Sequence, residues 1–308
     1  MSKTFAYIRA FENFPPSTRP WTVFSGSLSL VAAQRIAGPK ILYCHTPPRM
    51  LFDQKTHFRR HIPWWGQPVW SALQLAYKRK YLAALGAMDV FVANSENVRQ
   101  RIEKYLDRKA HVVYPPCDTR NFGWLEQDDF FLSTARVDPL KRVLLVAEAF
   151  AAMPDKKLVI VSGGADLEQV RAIARKCKNI EVLGWVDDNR LHKLMGTCVA
   201  SIYIPVAEDF GISPVESMAC GKPVIGVAEG GMLETMGSEG WKVNGLKVLP
   251  TGVQILAEPD SNNIQTAVRL LTRERALDMR AACESRAALF SEGVFLAGMK
   301  EVLCAVAP

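Results

Sequence analysis

Short apolar, β-branched runs alternate with stretches of helical period along most of this chain, and the alternation stops once and starts again. WTVFSG (21–26) reads as a strand, SLSLVAAQRIAG (27–38) as a helix, and KILYCHTP (40–47) as a strand running into a polar loop. A helical period over 67–86, the strand MDVFVANS (88–95), a helix ENVRQRIEKYL capped by Ser95, and the short strand HVVYPP (111–116) follow. The polar, irregular CDTRNFGWLEQDD (117–129) breaks the rhythm and reads as a domain linker. FFLSTAR (130–136), a helix from about Arg142, KLVIVSGG (157–164) and a helix over 166–177 then restore it. NIEVLGW, a helix over 188–195, VASIYIP (199–205), a helix from Pro214 and KPVIGV (222–227) continue it. Strands and helices of these lengths predict parallel sheets covered on both faces, an α/β fold with two Rossmann-like domains. Such sheets bind ligands beyond the carboxyl ends of their strands.

A length of 308 residues suits two domains, and 49% hydrophobic residues can build two cores. No apolar run approaches the roughly 20 residues of a membrane-spanning helix. The opening MSKTFAYIRAF lacks the apolar core of a signal peptide, so a soluble, cytoplasmic protein is expected. The seven cysteines are scattered with no C-x-x-C pair, and Cys44, Cys198 and Cys220 lie in or beside apolar runs. Reduced, mostly buried thiols are expected, with neither zinc nor a disulfide framework. The net charge of +7 suits anionic partners (nucleotides, phosphates, nucleic acid, an acidic membrane surface) without choosing among them.

The stretch with the most chemistry is VAEDFGISPVESMACGKPVIGV (206–227). Ser213-Pro214-Val215-Glu216 has the spacing of a capping box, with Ser213 as N-cap and Glu216 at the third helical position. A structural and a functional role for Glu216 therefore carry equal weight on the residues alone. Glu208 beside Asp209 is harder to explain structurally, because two adjacent carboxylates repel unless something binds there. Phe210-Gly211 adds an apolar wall and a close backbone approach, and the amides opening the next helix can face an anionic or hydroxyl-rich ligand. In STARVDPLKRV (133–143), Arg136 and Lys141 flank a Pro-containing turn after a strand, where two fixed cations can neutralise a leaving diphosphate. A solvated helix start is the plain alternative, and Arg142 reads as a surface neighbour. His45, at a strand end before Thr46-Pro47-Pro48-Arg49, has no chemistry readable from spacing. Gly163-Gly164 reads as an ordinary turn, and turn chemistry is one of two nearly equal readings of Gly230-Gly231.

Glu208-x7-Glu216 in EDFGISPVESMACGKPVI resembles the signature of the family 4 retaining glycosyltransferases, which have the GT-B fold. YCHTPPRMLFD (43–53) resembles a segment of their mannosyltransferase branch in O-antigen and exopolysaccharide assembly, and the likeness runs from about residue 20 to the end. The resemblance implies two Rossmann-like domains facing across a cleft. The boundaries expected are an acceptor-side domain over 1–125, a nucleotide-sugar domain over 126–290, and a C-terminal helix over 291–308 packing back on the first. It implies transfer of a hexose, mannose at first guess, from a nucleotide-diphosphate sugar such as GDP-mannose to a glycan or polyprenyl-linked acceptor. No cofactor and no metal are implied. Arg136 and Lys141 would grip the diphosphate, Glu208 the donor sugar, and Glu216 the ribose. Asp209, Phe210, Gly211 and Ile212 would orient the sugar, Trp185 and Val186 would line the base, and His45 would stand near the transferred sugar. Arg49 and Asp53 are weaker acceptor-side candidates on the same loop, and Gly230-Gly231 with Glu234 matches a family loop near the donor.

The chain departs from the family at its start, which shows no strand and glycine-rich loop of the usual kind. The first domain is therefore expected to lack its first strands, which leaves three explanations open: a reduced but working domain, an edge completed by a second copy or a partner chain because an exposed parallel edge is costly, or binding without catalysis. The other class left open is a non-catalytic or obligate-partner subunit that binds a nucleotide sugar. Across 58–85, Arg59, Arg60, Lys78, Arg79 and Lys80 interleave with Trp64, Trp65 and Trp70. That mixture suits peripheral contact with an anionic membrane surface, such as the inner face of a cell membrane, or equally a solvated helix face with some tryptophans in the core. It would also suit single-stranded nucleic acid, but no recognised nucleic-acid module accompanies it, so nucleic acid is not expected.

Overall fold

Runs that are apolar at every position become strands buried on both faces, since helices cover each side of a parallel sheet. A computed structural model of the protein describes residues 10–11, 13, 17–18, 21–60 and 62–306. The expectation resting on MSKTFAYIRAF lies, apart from Ala10 and Phe11, outside the described residues. The chain divides into two compact units, one formed by the chain up to Tyr114 together with Leu296 onward, the other by Pro115–Phe295.

In the first unit β1 (Ser17–Thr18) pairs with β3 (Ile36–Ala37). β2 (Thr22–Ser25), β4 (Lys40–Cys44), β5 (Val90–Ala93) and β6 (His111–Val112) form a parallel sheet in the order β2-β4-β5-β6. Helices α1 (Lys55–Arg60), α2 (Gln67–Leu85) and α3 (Glu96–Leu106) lie between or after these strands. Phe24, Leu42, Phe91, Val98 and Ile102 belong to its core. Ser95 caps α3 as expected, its hydroxyl accepting from the Val98 N–H at 3.0 Å. The helix expected over 27–38 is instead a 3₁₀ segment, Ser29–Arg35. No side chain caps it, and Ile36–Ala37 leave it to pair with β1.

The second unit holds β7 (Phe130–Ser133), α4 (Val143–Ala151), β8 (Lys157–Val161), α5 (Leu167–Ala174), β9 (Ile180–Gly184) and α6 (Asp188–Thr197). These are followed by β10 (Ala200–Tyr203), α7 (Ile212–Ala219), β11 (Val224–Val227), α8 (Met232–Met236), β12 (Trp241–Val243), β13 (Leu246–Leu249) and β14 (Gly252–Ile255). Helices α9 (Ser261–Leu270), α10 (Arg273–Asp278), α11 (Arg280–Ala288) and α12 (Glu292–Val306) close the chain, α12 running across the division into the first unit. The sheet order is β12-β13-β14-β11-β10-β7-β8-β9. It is not wholly parallel, because β12 and β13 run antiparallel to their neighbours at one edge. The cause is legible afterwards: Asn244-Gly245, at φ 47° and 75°, forms the tight turn that an Asn-Gly pair favours in a hairpin.

Residues 117–129 form no helix or strand and belong to the second unit. The buried Lys222 ammonium donates to the Glu126 carbonyl at 2.5 Å and to Gln127 Oε1 at 2.7 Å. Arg273 donates to the Gln127 carbonyl, and Trp124 has Arg280 over its ring at 4.4 Å. Burial holds the Lys222 ammonium down at a pKa of about 8. Cys44, Cys117, Cys198, Cys220 and Cys283 are buried, as the sequence leads one to expect for most of the seven thiols. Among the described residues no helix is long and apolar enough to cross a membrane.

Candidate functional site

After β9 the chain crosses back, and β10 is laid beside β7 on the side away from β8. The carboxyl ends of β7 and β10 therefore diverge into turns on opposite sides, the place where an open α/β sheet leaves room for a ligand. The turn after β7 carries Arg136 and Lys141, and the loop after β10 carries Glu208 and Asp209.

Here three groups meet. The Lys141 ammonium lies 2.5 Å from Glu208 Oε2 and donates to the Tyr203 hydroxyl at 2.9 Å. That hydroxyl in turn donates to Glu208 Oε2 at 2.7 Å. Burial, and then the Glu208 charge, push the Tyr203 phenol far up, so it stays protonated and serves as a fixed donor. Lys141 and Glu208 remain partly open, with side-chain exposures of 22% and 17%. Arg136, in the same turn, is 66% exposed and bonds Asp138 at 2.5 Å through Nε, leaving the outer edge of its fork toward solvent.

The loop around Glu208 is held from several sides. Arg142 donates to the carbonyls of Ile204 and Pro205 at 3.2 Å and pairs with Glu258 at 2.6 Å. Its side chain is only 11% exposed, so it is not the surface neighbour its sequence position suggests. Glu229 accepts from the Ala207 N–H at 3.0 Å, and the Gly231 N–H donates to the Glu208 carbonyl at 2.8 Å. Side chains on Gly230 or Gly231 would collide with the backbone of Glu208 and Asp209, so these glycines serve close approach rather than a free turn. Arg142 (φ 53°), Ser162 (φ 92°) and Ala207 (φ 45°) have positive φ, each just after a strand of this sheet or at the start of the next helix. Non-glycine residues hold that conformation only where their surroundings over-determine it, and such residues cluster at functional sites.

The capping box at Ser213–Glu216 does not form. Helix α7 begins at Ile212 after Gly211, which takes φ 91°, and no side chain caps it. The early start follows from Gly211, which turns the chain into the helix without a Cβ penalty and leaves Ser213 inside the first turn. Glu216 is consequently half-buried with no hydrogen bond or ion pair to its carboxylate among the described residues. Burial raises its pKa.

Other expected site residues are placed differently. Phe210 is no wall open to a ligand; its ring is buried and meets Phe290 edge-on at 5.3 Å. Asp209 is half-buried, and Ile212 is exposed. Trp185 is 81% exposed on the loop after β9, its indole over Gly163, where a Cβ would crowd it. Val186 packs partly against the core. His45 belongs to the first unit, where its Nε2 lies 2.8 Å from the Ser25 hydroxyl at the carboxyl ends of β4 and β2. Partial desolvation lowers its pKa. Asp53 is bound by Arg49 at 3.2 Å and by Arg101 at 3.0 Å. Tyr203, Arg142 and Glu229 are the residues the sequence reading missed. Only Tyr203 left a signal, since a phenol ending a buried strand must find a polar partner. Among the described residues no three His, Cys, Asp or Glu side chains gather as a metal would require.

The two units match solved GT-B structures. Sucrose-phosphate synthase from Thermosynechococcus elongatus aligns over 93% of this chain and 73% of its own, with TM-score 0.72 and 18% identity. Anabaena HepE in complex with UDP aligns over 98% of this chain and 82% of its own, with TM-score 0.66 and 16% identity. In sequence the chain is similar to the alpha-1,3/1,6-mannosyltransferase ALG2 of Dictyostelium discoideum, 26% identical over 71% of this chain and 61% of that protein. The Candida glabrata ALG2 is 25% identical over 66% of this chain and 54% of its own length. The chain thus spans between half and two thirds of these two relatives. The model of the family described as glycosyl transferases group 1 matches residues 118–288, more than half of the chain. With two Rossmann-like units and that match across the second of them, the chain belongs to the group 1 glycosyl transferases.

Proposed function

We propose that the protein is a metal-independent, retaining hexosyltransferase that moves a sugar from a nucleoside-diphosphate donor to a glycan or lipid-linked acceptor. Mannose is the first sugar to test, supported by the mannosyltransferases it resembles in sequence. The observation carrying the reading is the Lys141–Tyr203–Glu208 assembly at the β7/β10 divergence. A cation and a carboxylate held together are a closed pair until an anionic ligand arrives. The donor diphosphate then takes Lys141, with Arg136 as a second cation from the same turn. Tyr203 keeps its bond to Glu208, whose carboxylate is freed to accept from sugar hydroxyls and to face the positive charge growing at the anomeric carbon. Glu216 accepts from the ribose hydroxyls, amides at Gly211 and Ile212 with Asp209 and the Phe210 backbone orient the sugar, and Trp185 and Val186 border the base. His45 is assigned to the transferred sugar on the resemblance alone.

In the reaction the bond from the anomeric carbon to the phosphate oxygen breaks, and the acceptor oxygen bonds the same face. The acceptor proton passes to the departing phosphate. Positioning and charge stabilisation supply most of the rate. Purified protein should be heated with GDP, UDP and ADP, the second because the similar HepE structure holds UDP. Donor turnover and transfer to a polyprenyl-linked glycan should then be measured with GDP-mannose. Lys141→Ala and Glu208→Gln should each lower turnover by about 10²–10³-fold with the fold intact, and wild-type turnover in either would remove the assembly from the mechanism. Nucleotide binding without any turnover would instead support a non-catalytic subunit.

A further inference from the structure

Helix α2 is 19 residues long, yet only Tyr81, Ala84 and Leu85, at its C-terminal end, are buried. An amphipathic helix normally turns its apolar stripe to the core. Here one apolar row does so, Trp70, Leu73, Tyr77, Tyr81 and Leu85 being half-buried or buried, but a second apolar row faces out: Trp65 is 70% exposed, Val69 62%, Leu75 52% and Leu82 42%, with Ala72, Ala76 and Ala83 exposed at the same helical spacing. Trp64, just before the helix, is 82% exposed, and Phe58 on α1 is 36% exposed. A contiguous outward apolar surface of this kind marks a place where something docks.

The charges carried by this stretch of sequence are of one sign. Between Asp53 and Asp89 the sequence contains no aspartate or glutamate, while Lys55, Arg59, Arg60, Lys78, Arg79 and Lys80 contribute six positive charges against a whole-chain net of +7. A second copy docking face to face would set like charges against like charges. Single-stranded nucleic acid would use the tryptophans and cations but would leave Val69, Leu75 and Leu82 in water. An anionic bilayer surface satisfies all three features, taking tryptophans at headgroup level, aliphatic side chains below it and cations beside lipid phosphates.

We infer that α1, Trp64-Trp65 and the outward face of α2 form a surface that docks on an anionic lipid bilayer. The inference rests on this surface alone and is independent of the catalytic reading. The full chain should be sedimented with vesicles of equal parts phosphatidylcholine and phosphatidylglycerol, and with phosphatidylcholine alone. Binding to the mixed vesicles should be at least about ten-fold stronger and should fall in high salt. Tryptophan emission should shift to the blue and be quenched by brominated lipid. Val69→Glu with Leu75→Glu changes side chains that are each more than half exposed, so the variant should fold, checked by circular dichroism, and should lose about ten-fold or more in vesicle affinity. Failure to bind mixed vesicles, or unchanged binding by the variant, would overturn the inference. A salt-resistant dimer abolished by the same substitutions, or oligonucleotide binding without vesicle binding, would assign the surface to a second copy or to nucleic acid instead.

Discussion

Glu216 is a half-buried carboxylate whose cost to stability the proposed ribose contact would explain. Burial raises its pKa and no partner among the described residues compensates, so the folded state binds its proton more tightly than the unfolded chain does. The stabilising contribution of that raised pKa is complete below the ordinary carboxylate value and is lost as pH rises through the folded value. At neutral pH the ionised group is therefore a liability. Glu216→Gln should raise the melting temperature at pH 7, with the advantage vanishing at pH 3 to 4, and should weaken donor binding by about ten-fold or more. Calorimetry of unfolding at both pH values and titration with the nucleotide would test this, and an unchanged donor affinity would detach Glu216 from the ribose. The sequence marked Glu216 but misread its local role, because a capping box and a helix that starts two residues earlier share the same letters. Lys141 and Glu208 were legible as chemistry. Their direct pairing was not, since it joins residues 67 apart in sequence.

At the scale of elements, the acidic loop is a scaffolded turn and not a flexible one. Arg142 ties the end of β10 to the start of α4, while Glu229 and Gly231 brace the loop from the segment after β11. Arg142→Met would leave two carbonyls short of a donor and Glu229 and Glu258 without their cation. A loss of about 2–4 kcal/mol is expected, together with a fall in turnover larger than any change in nucleotide affinity, because the diphosphate contacts proposed for Lys141 and Arg136 would remain. Denaturant unfolding and steady-state kinetics on one preparation would check both, and unchanged stability would show that the loop holds its shape without this side chain. Strand positions followed directly from composition, since an unbroken apolar run of four or five residues has few other uses. The β12–β13 hairpin rests on Asn244-Gly245, a local turn pair that stands outside the alternating βα rhythm.

For the whole molecule, transfer that relies on side-chain cations should persist in EDTA at the rate measured without it. Loss of activity restored only by a divalent ion would place a metal at the diphosphate and displace Lys141 and Arg136 from that role. The sequence by itself determined an α/β chain of two Rossmann-like units and the loops on which its chemistry would be sought. These follow from local rules: the period of apolar residues, capping residues and turn pairs act over a few positions. Only the tertiary structure decided that β10 returns beside β7, that Tyr203 joins Lys141 to Glu208, that Arg142 turns inward, and that α2 leaves a second apolar row uncovered. Each depends on contacts between residues far apart in the chain, and the composition of a segment does not specify which distant surface it will meet.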